Sequence, residues 1–204
     1  MRPKKEKACP YPNLFELHIH HVSKTFGTEH VLNNVTLSLS SGNIYCFMAP
    51  SGSGKTTLFR IFMGLETPDS GEICGLEGKR ISAVFQENRL LEGFNAIQNL
   101  QFVTGRRYSV SELTQVLTRL LPEDSLQKPV HEFSGGMKRR LAIIRALLVP
   151  FDILIMDEPF TGLDAASKEN AASLICEYAS EKLILFSTHH TEEAALLSAE
   201  IISL

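Results

Sequence analysis

The nine residues Ala49-Pro50-Ser51-Gly52-Ser53-Gly54-Lys55-Thr56-Thr57 constrain this chain more than any other stretch. An apolar, β-prone run, Ile44 to Met48, leads into them, and Leu58 to Met63 continues with helical character. The order is therefore strand, glycine-rich loop, helix. Glycines let such a loop curl until its backbone N–H groups converge, and the following helix turns its positive end to the same point. A polyphosphate fits there. Lys55 reaches the β- and γ-phosphates as a point charge, and the Thr56 hydroxyl is placed to ligate the Mg²⁺ that rides on them. Pro50, Ser51, Gly52, Ser53, Gly54 and Thr57 complete the candidate cradle. The full pattern G-x-x-x-x-G-K-[ST] begins with Gly where this chain has Ala49, and a left-handed backbone there would cost about 1 kcal/mol.

The loop sits in a chain of 204 residues, long enough for one domain with a substantial core. Hydrophobic content of 44% and charged content of 21% describe an ordinary globular protein, and a net charge of −3 gives no reason to expect a nucleic-acid partner. Cys9, Cys46, Cys74 and Cys176 include no C-x-x-C pair, so neither a zinc site nor a disulfide scaffold is implied and a reducing compartment is expected. Near the start, Cys9-Pro10-Tyr11-Pro12 stands where an export signal needs an apolar stretch. The most apolar region, Leu141 to Met156, is cut by Arg145, Pro150 and Asp152 and falls short of the ~18 residues of a spanning helix. The chain is not expected to cross a membrane by itself.

Leu14 to Phe26 and Val31 to Leu39 alternate apolar and polar residues around Gly27-Thr28-Glu29, which predicts a small antiparallel sheet. His18, His20 and His21 lie on its first strand; with no acidic or cysteine partner accompanying them they read as exposed strand histidines. Thr67 to Gly71 reads as a turn, and Ile81 to Phe85 as a buried strand ending at Gln86. Taken alone, Gln86 is a surface residue. Its place past the carboxyl end of a core strand is also where open α/β sheets bind ligands. Between Glu87 and Glu132 the helical period dominates, through Ile97, Leu100, Phe102, Val110, Leu113, Val116, Leu117, Leu120 and Leu121, and predicts about three short helices.

Phe133-Ser134-Gly135-Gly136-Met137 then opens a helix to about Leu148, with Ser134 as N-cap. In isolation this is a capped helix; beside a phosphate loop, its two glycines suggest a second anion-binding point. Ile153 to Met156 is an apolar run ending in Asp157 and Glu158, and a strand buried on both faces delivers such acids to the ligand edge of the sheet. Asp157 is suited to hold the hydrated Mg²⁺ and Glu158 to face a water in line with the γ-phosphate. Thr161-Gly162-Leu163-Asp164, a helix from about Ala165 to Ser180 and the strand Leu183 to Phe186 follow. His189 comes after that strand end, where its imidazole could bond a γ-phosphate oxygen. A helix from Glu192 to Ser198 and a short strand from Glu200 to Leu204 close the chain.

Taken together, these segments resemble the ATP-binding subunits of ABC transporters over nearly the whole length. The loop at 49–57, Gln86, Phe133 to Met137, Ile153 to Glu158, Leu163-Asp164 and His189 occur in that family's order. The resemblance implies an α/β fold: a P-loop NTPase core with a mainly parallel sheet (46–86 and 150–204), an N-terminal antiparallel β part (13–45) and an inserted helical and signature subdomain (87–149). It implies ATP and Mg²⁺ as cofactors, with Gln86 joining Thr56 and Asp157 around the metal, and Glu158, His189, Gln86 and Lys55 as catalytic residues. Phe26 would stack on adenine, a core Phe being the competing reading. Two copies would pair head to tail, so that Ser134, Gly135 and Gly136 of one close on the γ-phosphate held by Lys55 of the other, and Asp164 is implied as a further ATP-binding residue.

Further expectations follow from the same resemblance. The partners would be transmembrane permease subunits and an extracytoplasmic solute-binding protein, with the chain peripheral on the cytoplasmic face of the membrane. Val84 to Leu91 looks like importers of nitrate, sulfonate, taurine and related substrates, although Glu92-Gly93-Phe94 departs from the Pro-Trp often found there. Met137 stands where the signature usually has Gln. A soluble ABC-type ATPase and an ATP-dependent interaction module remain as alternatives.

Overall fold

The computed structural model describes residues 14–50 and 52–204; Cys9 and the candidate cradle residue Ser51 lie outside the described residues. The alternation ahead of the loop folds as a hairpin. β1 (Glu16–Phe26) and β2 (Glu29–Ser40) pair antiparallel, with Leu17, Ile19 and Val22 buried. The register shifts after Ile19, where His21 takes a left-handed φ of 52°, the mark of a bulge. The chain then enters β3 (Ile44–Met48), and α1 (Lys55–Phe62) packs back with Leu58, Phe59, Ile61 and Phe62 buried.

β4 (Ser70–Cys74) corrects one sequence expectation. Ser70 and Gly71, read as the end of a turn, already belong to a strand that pairs with β1, so the sheet has the order β2-β1-β4. Glycine makes this pairing possible. A Cβ at Gly71 would lie 2.4 Å from the His20 carbonyl oxygen, and one at Gly75 2.2 Å from that of Glu16.

The second sheet is parallel. β5 (Ile81–Val84), β6 (Ile153–Asp157), β7 (Leu183–Ser187) and β8 (Glu200–Ser203) join β3 in the order β5-β6-β7-β3-β8. Alternate residues of its central strands serve two cores. Ile153, Ile155, Leu183 and Leu185 pack with Phe47, Phe59 and the antiparallel sheet, whereas Leu154, Met156, Ile184 and Phe186 pack against the helical layer. These runs are therefore apolar at every position. The register sets Asp157 beside Ser187 and Ser187 beside Phe47, so β6, β7 and β3 deliver their carboxyl ends to one edge.

The helical layer comprises α2 (Ala96–Thr104), α3 (Val110–Leu117), α4 (Gly135–Leu148), α5 (Ala165–Glu177) and α6 (Thr191–Leu196). Between 87 and 132 there are two α-helices and two 3₁₀ turns, Glu123–Ser125 and Val130–Glu132, instead of about three helices. Pro122 and Pro129 precede those turns, and proline disfavours helical backbone in the residue before it. Capping boxes start the two helices that do form, Asn95 with Gln98 and Ser109 with Glu112.

One ion pair ties the amino ends of β5 and β6. Arg80 donates through Nε and Nη2 to the two Asp152 oxygens, each at 3.0 Å, and this holds the Asp152 carboxyl at about 2, down from the usual 3.8. A carboxyl lowered on folding adds stability that is fully present above its unfolded value and is lost as pH falls. Arg80→Ala is thus expected to lower the urea midpoint at pH 6 by a small but measurable amount, the Arg side chain being largely exposed and the pair screened by solvent. The two midpoints should converge between about pH 4 and pH 2; a constant gap would assign the loss to packing.

Candidate nucleotide site

The edge where β3, β6 and β7 end holds a cleft of about 280 Å³, lined by Gly52 to Thr57, Gln86, Asp157, Glu158, His189, Glu29 and Val31. Of the sequence-predicted residues, this brings together Lys55, Thr56, Thr57, Gly52, Ser53, Gly54, Gln86, Asp157, Glu158 and His189. They come from both ends of the chain.

The loop shapes itself around Lys55. Gly52 and Gly54 take φ of 83° and 90°, which L side chains rarely adopt. The Lys55 ammonium is buried and donates to the Ala49 carbonyl at 2.5 Å, the Pro50 carbonyl at 3.0 Å and Ser53 Oγ at 3.5 Å. Ala49 is not among the left-handed residues, so the strain anticipated for its methyl group does not arise.

Asp157 is the best-connected acid. Its Oδ2 accepts from Thr56 Oγ1 at 2.7 Å and its Oδ1 from Ser187 Oγ at 2.6 Å. The same Ser187 hydroxyl accepts the Glu158 N–H at 3.0 Å. Ser187 was not singled out in the sequence, where it is one polar residue after an apolar strand; register alone sets it against the acids. Glu158 has a left-handed φ of 49°, and its Oε1 lies 3.0 Å from His189 Nε2. A hydroxyl and a carboxylate are hard oxygen donors that suit Mg²⁺, which takes few protein ligands and relies on phosphate oxygens and water for the rest.

Other predicted residues lie elsewhere. Ser134, Gly135 and Gly136 do not line the cleft; Ser134 caps α4, its Oγ accepting the Met137 N–H at 3.2 Å, and Ser134 and Gly135 are exposed. Met137 is half-buried and packs against the helical core. Asp164 is committed to capping α5, its Oδ1 accepting the Ser167 N–H at 2.8 Å, which lowers its pKa. Phe26 is 47% exposed, which removes the core reading for it, and the Lys24 ammonium lies 5.2 Å from its ring centroid. On the antiparallel sheet Cys74 faces His18 and Glu72 faces His20, cross-strand partners the sequence could not reveal. Even so, no three His, Cys, Asp or Glu converge as a metal set among the described residues.

A glycine-rich loop around a buried lysine, a hydroxyl joined to a strand-end aspartate and a glutamate beside a histidine define a P-loop nucleotide-binding protein. The chain belongs to the ABC transporter family, whose sequence profile matches residues 32–161. It is similar to a sulfate/thiosulfate import ATP-binding protein of Mesostigma viride, 34% identical over 200 residues that take in 90% of this chain and 58% of that protein. An aliphatic sulfonates import ATP-binding protein of Pseudomonas syringae is 35% identical over 195 residues, 93% of this chain and 80% of the relative. A Nod factor export ATP-binding protein of Cupriavidus pinatubonensis is 36% identical over 203 residues, 89% of this chain and 61% of the relative. The chain thus spans less than two thirds of some curated relatives. The ATP-binding cassette MJ0796, solved as a dimer in a post-hydrolysis state with ADP and Pi, superposes with a TM-score of 0.79 at 26% identity, covering 92% of this chain and 94% of that one.

Proposed function

We propose that this chain hydrolyses ATP between two copies of itself and thereby energises import of a small solute through membrane-spanning permease subunits. The observation that carries the reading is the single cleft in which Lys55, Thr56, Asp157, Glu158, Gln86 and His189 meet.

Lys55 swings from its loop carbonyls onto the β- and γ-phosphates, and the loop N–H groups and the start of α1 take the remaining charge. Bound between Thr56, Asp157 and Gln86, Mg²⁺ would neutralise charge developing on the phosphate oxygens. Glu158 accepts the proton of the attacking water or orients it, and His189, a hydrogen bond away, fastens the γ-phosphate. Phe26, exposed at the hairpin end, supplies a face for adenine. The position of Ser134, Gly135 and Gly136 outside the cleft of their own chain supports a head-to-tail pair, in which they close on the partner's ATP and exclude water. Asp164 would act there through its cap on α5, at the dimer seam.

Import relatives named for sulfate and sulfonate support import and a small anionic cargo, while the Nod factor relative is named for export. In the import reading an extracytoplasmic solute-binding protein would deliver the cargo. The chain would work on the cytoplasmic face of the membrane; among the described residues no helix is long and apolar enough to cross it.

The helical part offers a surface for the permease. Phe94 and Phe102 are 41% and 61% exposed and meet edge to face at 5.1 Å. Exposed aromatics this close mark an interaction patch. Phe102→Asp is expected to reduce permease recovery about tenfold, while ATP hydrolysis by the isolated protein stays within about twofold. Equal recovery would place the permease elsewhere.

The reading as a whole is tested by isolating the chain from its native membranes with ATP trapped by Glu158→Gln. A multispanning permease in the complex supports it, and a solute-binding protein in addition establishes import. Recovery only of soluble proteins or ribosomes would overturn transport and favour a cytosolic ATPase.

A further inference from the structure

The middle of α4 carries a guanidinium that the known motifs do not use. Arg139 is 3% exposed, the most deeply buried arginine of the described chain. Its Nη2 donates to the carbonyls of Asp157 at 3.0 Å and Glu158 at 2.7 Å; its Nη1 donates to the carbonyl of Phe85 at 2.5 Å and to Asn88 Oδ1 at 3.4 Å. These acceptors belong to separate pieces of chain: the residue before Gln86, the segment after it, and the end of β6. Burial pushes the guanidinium pKa down and the nearby Asp157 and Glu158 carboxylates work against that. An arginine stays charged even so.

Glu158 needs such a partner. A non-glycine residue keeps a left-handed backbone only where its surroundings impose it. The Glu158 side chain meets His189 Nε2 and Thr161 Oγ1, but among the described residues the contacts on its backbone are few: the N–H of Glu158 rests on Ser187 Oγ, and its carbonyl accepts from Arg139 Nη2 and, at 3.3 Å, from the Thr161 N–H. Ser187 sits on β7, inside the core sheet. Arg139 alone reaches Glu158 from the helix whose first turn is Gly135 and Gly136.

We propose that Arg139 is a positioning residue, which holds Glu158 in its left-handed backbone and ties it, with the entry to Gln86, to the movement of α4. A shift of α4 when two copies close would then be felt at once by Glu158 and by the peptide unit that leads into Gln86, because one planar fork grips the carbonyls of Glu158 and Phe85. The inference rests on Glu158 acting on the attacking water. The planarity matters, since a lysine carries its donors on one nitrogen, whereas the two separated nitrogens of the fork reach Phe85 and Asn88 on one side and Asp157 and Glu158 on the other.

Amide hydrogen exchange of the purified full chain without nucleotide tests the positioning without needing activity. In Arg139→Gln the amides of Glu158 and Thr161 are expected to exchange about tenfold faster, with β7 unchanged. The same variant should lose about 10- to 100-fold in kcat while the KM for ATP stays within about twofold. In a Glu158→Gln background, adding Arg139→Gln should slow the residual turnover no further. Arg139→Lys, which keeps the charge and loses the fork, should fall between, and it carries both measurements if Arg139→Gln does not fold. Unchanged exchange at Glu158 and Thr161, or losses that multiply in the double variant, would overturn the proposal. Wild-type chain that does not hydrolyse ATP would sink the ATPase reading instead, and the exchange result would still decide the role of Arg139.

Discussion

Glu158→Gln is expected to lower steady-state ATP hydrolysis by about 10²- to 10³-fold while ATP affinity changes by less than about threefold. The amide keeps the size and the backbone contacts of the carboxylate and removes its capacity to take a proton. Ser187 Oγ and Arg139 Nη2 hold the backbone N–H and carbonyl of residue 158, not its side chain, so the geometry survives the substitution. Closure of the proposed dimer is then expected to persist, because the γ-phosphate is not cleaved. Phosphate release and nucleotide binding measured on one preparation check the result, with size-exclusion chromatography in ATP showing the retained dimer. A variant with more than about a tenth of wild-type turnover would exclude Glu158 as the general base.

Lys55→Met should act on the other parameter. The buried ammonium satisfies loop oxygens in this structure and would exchange them for phosphate oxygens on ATP binding. Charge-assisted hydrogen bonds contribute about 1.5–3 kcal/mol each, so losing two weakens ATP by about 100-fold or more. Methionine fills a similar volume without charge, which limits the loss of packing. Isothermal titration with ATP, alongside thermal unfolding to verify the fold, measures this directly. Affinity within about fivefold of wild type would mean that the backbone N–H groups of the loop hold the phosphates without the lysine.

The two variants probe parts of the molecule that differ in how legible they were. Lys55 and Thr56 stand in a contiguous pattern, and the flanking apolar runs made strand and helix readable on either side. Asp157 and Glu158 were legible for a similar reason: an unbroken apolar run means a strand buried on both faces, and the first charged residues after it must emerge at an end. The helical part was read less well. Its apolar period continued through Leu120 and Leu121, and the prolines at 122 and 129 outweighed it. β4 was missed because five residues carrying two polar groups and a glycine, Ser70-Gly71-Glu72-Ile73-Cys74, present no alternation to recognise. Its place depends on a backbone against β1 so close that only glycine fits at 71 and 75.

Sequence by itself determined the kind of chemistry and the class of fold, because both are written in short local patterns: glycine spacing sets loop geometry, and hydrophobic period sets strand or helix. Tertiary structure decided which groups aim that chemistry. Ser187 is 30 positions from Asp157 and Arg139 is 18 from it, yet the first touches its carboxylate and the second its carbonyl. Parallel pairing of β6 with β7 and the packing of α4 across β5 and β6 make those contacts. No local signal specifies a register between distant strands, since it is settled by how two buried faces fit together once the whole sheet has formed.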